Sequence, residues 1–184
     1  MSEKRFHSGV IHVLVQRNLD MSEEQYKDLK HIRKDYGKSV LDPGALLSNP
    51  SNQLRVWLSE AADRDVPDYN AFCLSTIDQQ GTPHGRIVLV RSIEHNAIHF
   101  FTNYASEKGE DLARNSACGA TFFWPQLERQ VRLRGEAKHM SAADSDAYFV
   151  TRPRESQLGA WASDQSKNLG QKDLQREMES LRKH

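Results

Sequence analysis

Tyr148, Arg152 and Ser156 recur at four-residue intervals. On one helical face that spacing aligns a hydroxyl, a guanidinium and a second hydroxyl. Such a set suits an anion with several oxygens, because a guanidinium bonds two of them at once. Pro153 interrupts a single helix, so the face would form across a helix junction. The free N–H groups at the start of the second helix would favour the same anion. Spacing alone fits ordinary surface residues as well. A second pair, Arg86 and Arg91, bounds the apolar run Ile87-Val88-Leu89-Val90. Their odd separation puts them on opposite faces of a regular strand, so they could not serve one spot. Solvated edge arginines fit that spacing too. Gln165 and Ser166 follow Trp161 and by themselves say nothing.

Other chemistries lack their residues. There is no GxxxxGK phosphate loop, no GxGxxG, no HExxH and no CxxC. The histidines at 7, 12, 31, 84, 95, 99, 139 and 184 form no metal-ligand spacing on one expected element, so no metal is expected. Lys plus Arg number 25, as do Asp plus Glu, giving zero formal charge. That balance argues against a coat for nucleic acid or an anionic membrane, while leaving room for a local basic pocket. No apolar run approaches a membrane span, and no secretory pattern opens the chain. Cys73 and Cys118 lie far apart in strand-like runs and read as buried thiols in a reducing cytoplasm.

The elements that would carry these residues are mostly strands. Ala71 to Ile77 is one, and the turn Asp78-Gln79-Gln80-Gly81 leads to His84 to Ile93. Ile98 to Asn103, Ala117 to Trp124 and Arg129 to His139 follow. In the last, Val131, Leu133, Gly135 and Ala137 alternate with Gln130, Arg132, Arg134 and Glu136. Helices are expected over Ser22 to Tyr36, about Gln53 to Arg64, Glu107 to Asn115, Ala142 to Val150, Arg154 to Ser163 and residues 170–184. Residues 1–21 read as a loose arm and 37–53 as a linker, so the organisation is 1–52 arm, helix and linker, then 53–184 barrel with closing helices. Hairpin-linked strands without βαβ alternation give a mainly β class, an antiparallel barrel with added helices.

Several ordered segments together resemble the pyridoxine (pyridoxamine) 5′-phosphate oxidases. They are Ile32-Arg-Lys-Asp-Tyr36, Arg86-Ile-Val-Leu-Val-Arg91, Phe100-Phe-Thr-Asn103 with Ser106 and Lys108, Leu127-Glu-Arg-Gln-Val131, and Tyr148-Phe149. The most specific is Arg152-Pro-Arg-Glu-Ser-Gln-Leu-Gly-Ala-Trp161, continued by Ser163, Gln165 and Ser166. The resemblance implies an FMN-binding split barrel, antiparallel and Greek-key-like, that works as a homodimer with FMN at the interface. It implies that Arg86, Ile87, Val88, Leu89, Val90 and Arg91 line the flavin, continued by Phe101 and Thr102. Lys108 would hold the FMN phosphate and Gln130 the flavin ring, with Gln165 and Ser166 supplied by the other subunit. Tyr148, Arg152 and Ser156, with Arg91, would grip the substrate phosphate. Arg33, Lys34, Asp35 and Tyr36 would close over that pocket.

The implied reaction is oxidation of pyridoxine or pyridoxamine 5′-phosphate to pyridoxal 5′-phosphate, with oxygen as acceptor and hydrogen peroxide released. The cofactor does the hard step, which suits a chain without an acid–base constellation. Three departures are visible. Arg91 stands where the family usually has lysine, and Glu107 where it often has a basic residue. The family's final segment, with a tryptophan and an arginine for FMN and an Arg-x-His motif for the substrate ring, has no match after the helix near 170–184. Without it the expectation is lower stability and weaker FMN binding. A non-catalytic binder of FMN or pyridoxal 5′-phosphate is therefore the second reading, and a general flavin reductase the third.

Overall fold

A computed structural model describes residues 35–37, 41–162 and 180. The chain divides into two compact units, Met1–Tyr36 and Gly37–His184. In the first, the described residues Asp35 and Tyr36 have no regular structure, so a helix does not reach Tyr36 as expected. The rest of that expected helix, and all but residue 180 of the one over 170–184, lie outside the described residues.

The second unit opens with a 3₁₀ turn, Pro43–Ala45, and helix α1, Pro50–Asp63. Asn49 caps α1 by accepting from the N–H groups of Ser51 and Asn52, and Pro50 suits the first turn because it has no N–H to leave unpaired. Four strands form an antiparallel sheet in the order β2-β1-β5-β6: β1 Ala71–Ile77, β2 Pro83–Leu89, β5 Ala117–Trp124 and β6 Arg129–Glu136. β3 Ser92–Glu94 and β4 Ala97–His99 make a separate two-stranded hairpin. Helix α2 is Glu107–Arg114, and α3 Ala142–Thr151 and α4 Arg154–Ala162 follow the sheet.

The expected strand His84 to Ile93 is therefore two strands. β2 pairs with β1, whereas β3 pairs with β4, and the chain changes partner at Val90 and Arg91. The Val90 N–H donates to the Asn70 carbonyl, and the Arg91 N–H to the His99 carbonyl. Ile98 to Asn103 likewise shortens, since only Ala97–His99 finds a partner strand.

Strand alternation sets the core. Phe72 and Leu74 of β1, Ala120, Phe122 and Trp124 of β5, and Val90 turn inward onto Leu54 and Ala61 of α1. Phe72 meets Phe100 edge-on at 5.8 Å and Phe122 at 5.3 Å, both favoured ring geometries. The Trp124 indole N–H donates to the Tyr69 carbonyl, so its polar atom is satisfied. Arg129 bonds Glu60 at 2.6 Å and lies over the Trp57 ring, tying α1 to the start of β6. Cys73 and Cys118 are free thiols, and burial pushes the Cys118 thiol up. Among the described residues no helix is long and apolar enough to cross a membrane.

Candidate functional site

The helix junction forms as the proline requires. Ser141 caps α3, its hydroxyl accepting from the Asp144 N–H and donating to the Asp144 carboxylate. Arg152 leaves the helix with φ −74° and ψ 145°, the extended backbone that a following proline imposes. The Gln157 amide then donates to the carbonyls of Phe149 and Arg152, at 3.2 and 2.9 Å. The Phe149 carbonyl also accepts the Arg152 N–H, so Gln157 adds a tie between the end of α3 and the first turn of α4.

That junction brings Tyr148, Arg152 and Ser156 to one wall of a cleft of about 550 Å³. Arg91, His99 and Phe101 line it from the β3–β4 side. The Tyr148 ring stacks on Phe101 with centroids 3.3 Å apart and planes 8° from parallel. Glu94 and Asp144 also line the cleft, and Asp144 is engaged by Ser141. Among the described residues neither Arg91 nor Arg152 has an ion-pair partner. Two guanidinium groups without ion-pair partners among the described residues, and two hydroxyls, give the cleft the donors that an anion needs.

A second polar cluster lies under α2. Arg86 sits on the inward face of β2, opposite Leu74. Its guanidinium donates to the Thr76 hydroxyl at 2.5 Å and lies 3.5 Å from the Asp111 carboxylate. Thr76 donates in turn to Asp111 at 2.7 Å. Beside them the buried Lys108 ammonium donates to the Ser106 hydroxyl at 3.2 Å. Burial, and then the Arg86 charge, hold the Lys108 ammonium below its ordinary value, with Glu107 opposing. Arg86 pairs with Asp111, while the buried Lys108 ammonium has no ion-pair partner among the described residues, so a phosphate placed here would supply its counter-charge. The residues present fit a flavin phosphate. Gly109 lets the loop approach: a Cβ there would sit 2.3 Å from the Tyr104 carbonyl oxygen.

Glu107 faces His84, with its carboxylate 3.3 Å from Nδ1, while His84 Nε2 lies 3.0 Å from Asp78. Asp78 also accepts from the N–H groups of Gln80 and Thr82, closing the β1–β2 turn around Gly81 at φ 81°. The hydrogen bond to Asp78 raises His84 above its ordinary value, burial opposing, and the same bond leads the lowering of Asp78.

The other expected site residues are spread. Thr102 approaches the Ser106 hydroxyl at 3.4 Å and so joins the second cluster. Val88 packs against the core and Val90 is inside it, so Val90 offers a ligand only backbone. Leu89 is half-buried. Ile87 is exposed on the outer sheet face, in register with Cys73 and Thr121. Phe123 and its partner Gln130 share that face. Arg33, Lys34, Gln165 and Ser166 lie outside the described residues. Sequence reasoning missed Asp111, Thr76, Ser92, His99 and Gln157. Thr76 left a trace: it is the polar residue on the inward face that Phe72 and Leu74 define.

The family profile described as pyridoxamine 5′-phosphate oxidase matches residues 58–177. A pyridoxine/pyridoxamine 5′-phosphate oxidase of Cytophaga hutchinsonii is 44% identical over 146 residues, covering 79% of this chain and 68% of that one. Another, from Ralstonia nicotianae, is 46% identical over 138 residues, covering 75% and 65%. A third, from Cyanothece sp., is 41% identical over 154 residues, covering 83% and 72%. The chain thus spans about two thirds of the length of these relatives. Among solved structures, PhzG of Burkholderia lata, in complex with tetrahydrophenazine-1-carboxylic acid, superposes with TM-score 0.73 at 25% identity, covering 77% of this chain and 72% of that one. A pyridoxamine 5′-phosphate oxidase-related, FMN binding protein of Nostoc punctiforme shares the fold, with TM-score 0.57 at 15% identity, covering 71% and 73%.

The fold is mainly β with added helices, of the flavin-binding split-barrel class. The chain belongs to the pyridoxamine 5′-phosphate oxidase family, whose members are flavin-dependent oxidoreductases.

Proposed function

We propose that this chain binds FMN and oxidises pyridoxine or pyridoxamine 5′-phosphate to pyridoxal 5′-phosphate, passing electrons to oxygen and releasing hydrogen peroxide. The observation that carries this reading is the cleft: Arg91 and Arg152, without ion-pair partners among the described residues, meet Tyr148 and Ser156 there. FMN, when bound, supplies the acceptor for the hydride leaving the substrate's 4′-carbon. The protein's residues bind and orient. Arg152 and Arg91 neutralise the substrate phosphate, and the Tyr148 and Ser156 hydroxyls complete its shell. Phe101, stacked behind Tyr148, holds that phenol in place. Lys108 and Arg86 hold the FMN phosphate, and Asp111 keeps Arg86 aimed. Positioning both reactants removes much of the entropic part of the barrier.

A homodimer belongs to this reading. Ile87 and Phe123, 67% and 64% exposed, lie on the sheet face that carries Gln130. Large apolar side chains exposed on a sheet face that also carries Gln130, Arg132 and Arg134 suit an interface with an apolar centre and a polar rim. On this reading Gln165 and Ser166 of the other subunit complete the flavin site.

The test is aerobic turnover of the FMN-loaded chain with pyridoxamine 5′-phosphate. Pyridoxal 5′-phosphate and hydrogen peroxide forming in equal amounts support the reading. FMN binding without either product supports the non-catalytic binder instead.

A further inference from the structure

The β3–β4 hairpin places a histidine in the anion cleft that the motif at the helix junction does not include. Ser92 and His99 are directly paired across the hairpin, and the Ser92 hydroxyl lies 2.9 Å from His99 Nδ1. Both side chains line the cleft with Arg91, Tyr148, Arg152 and Ser156. The Arg91 N–H donates to the His99 carbonyl, so the first guanidinium and the imidazole are tied at the backbone. With Nδ1 occupied by Ser92, Nε2 is the ring nitrogen left for a ligand. A serine that donates to Nδ1 fixes the tautomer that carries its proton on Nε2. An N–H is what a phosphate oxygen accepts.

Two guanidinium groups stand with this imidazole to receive an anion, and two carboxylates share the lining. Arg91 and Arg152 line the same cleft without ion-pair partners among the described residues. Glu94 and Asp144 are the opposing carboxylates, and Asp144 is held by the Ser141 hydroxyl at 2.6 Å. We infer that His99 is an additional phosphate-binding residue of the cleft, positioned by Ser92, so that five side chains rather than four hold the substrate phosphate. This deepens the proposed function and rests on it.

The test compares pyridoxal 5′-phosphate with pyridoxal by equilibrium dialysis against the FMN-loaded chain and its variants. Replacing His99→Val removes one donor, and we expect about tenfold weaker binding of pyridoxal 5′-phosphate with pyridoxal unchanged. Ser92→Ala should give a smaller loss of the same kind, because the imidazole remains but its tautomer is free. Ser92→Thr should restore binding, which a merely structural role for the hydroxyl would not require. FMN titration of each variant reports that the fold is intact. Equal affinity of His99→Val and the parent chain for pyridoxal 5′-phosphate would overturn the inference, as would parallel loss of both ligands. A parent chain that does not prefer pyridoxal 5′-phosphate to pyridoxal would instead overturn the phosphate-cleft reading beneath it.

Discussion

The Asp111 carboxylate lies 3.5 Å from the Arg86 guanidinium, and the same oxygen accepts the Thr76 hydroxyl at 2.7 Å. Asp111 is 2% exposed, so this is a buried anion with one cation and one hydroxyl for partners. It joins α2 to β1 and β2 at the point where Lys108 also enters. Removing one partner of such a pair leaves the other charge buried and uncompensated. Asp111→Ala should therefore cost about 3 kcal/mol of stability, read from urea unfolding. It should also weaken FMN binding, because Arg86 loses its aim. Unchanged stability would show that the pair is not a structural tie.

Lys108 carries the opposite trade. Its ammonium is held down by burial and by Arg86, so the fold disfavours the charged form relative to the unfolded chain. Below the depressed folded value that charge lowers stability, and an anion would relieve it. Lys108→Met should raise the melting temperature of the FMN-free chain and weaken FMN by roughly tenfold to a hundredfold. Melting curves with and without FMN separate the two effects. A variant both less stable and equally good at binding FMN would contradict this role.

His84 links the β1–β2 turn to the start of α2 through Asp78 and Glu107. Its folded value lies above the ordinary 6.5, so its contribution is full below about pH 6.5 and is lost as pH rises through the higher folded value. Asp78 lies below the ordinary 3.8, so its contribution is full above about pH 4 and is lost as pH falls through the lower folded value. The pair is thus strongest between those limits. Melting temperature against pH should decline above about pH 6.5 in the parent chain, and His84→Gln should flatten that limb. Identical slopes in both proteins would show that His84 does not tie the β1–β2 turn to α2.

The cleft makes a graded prediction. Arg152→Met should raise KM for pyridoxamine 5′-phosphate by about a hundredfold with a smaller change in kcat, since the phosphate is remote from the reacting carbon. Arg91→Lys keeps charge and loses the fork, so its KM should rise less than that of Arg91→Met. Steady-state kinetics on the three variants checks the order. Equal KM values for Arg91→Lys and Arg91→Met would mean that the charge of Arg91 contributes nothing, and values equal to the parent chain's would exclude the fork as well.

Much of this was legible where the signal was local. β1 and β5 occupy the residues that apolar alternation marks, Ala71–Ile77 and Ala117–Trp124. The four-residue spacing of Tyr148, Arg152 and Ser156 survives Pro153 because Gln157 locks the junction. What was illegible was pairing at a distance. The run from His84 to Ile93 carries no turn signal after Gly85, and it is its change of partner from β1 to β4 that splits it. Thr76 and Asp111 are 35 residues apart, and Ser92 meets His99 only once β3 and β4 pair. Turn chemistry and propensity carry no record of such contacts.

In the proposed reaction this chain carries the oxidative half-reaction. The direct measurement is anaerobic: load the purified chain with FMN, add pyridoxamine 5′-phosphate, and follow the flavin's visible absorbance. Bleaching is expected, and Arg152→Met should bleach only at much higher substrate concentration. A flavin that stays yellow while pyridoxamine 5′-phosphate saturates the cleft would contradict the proposed reaction and leave a binding protein.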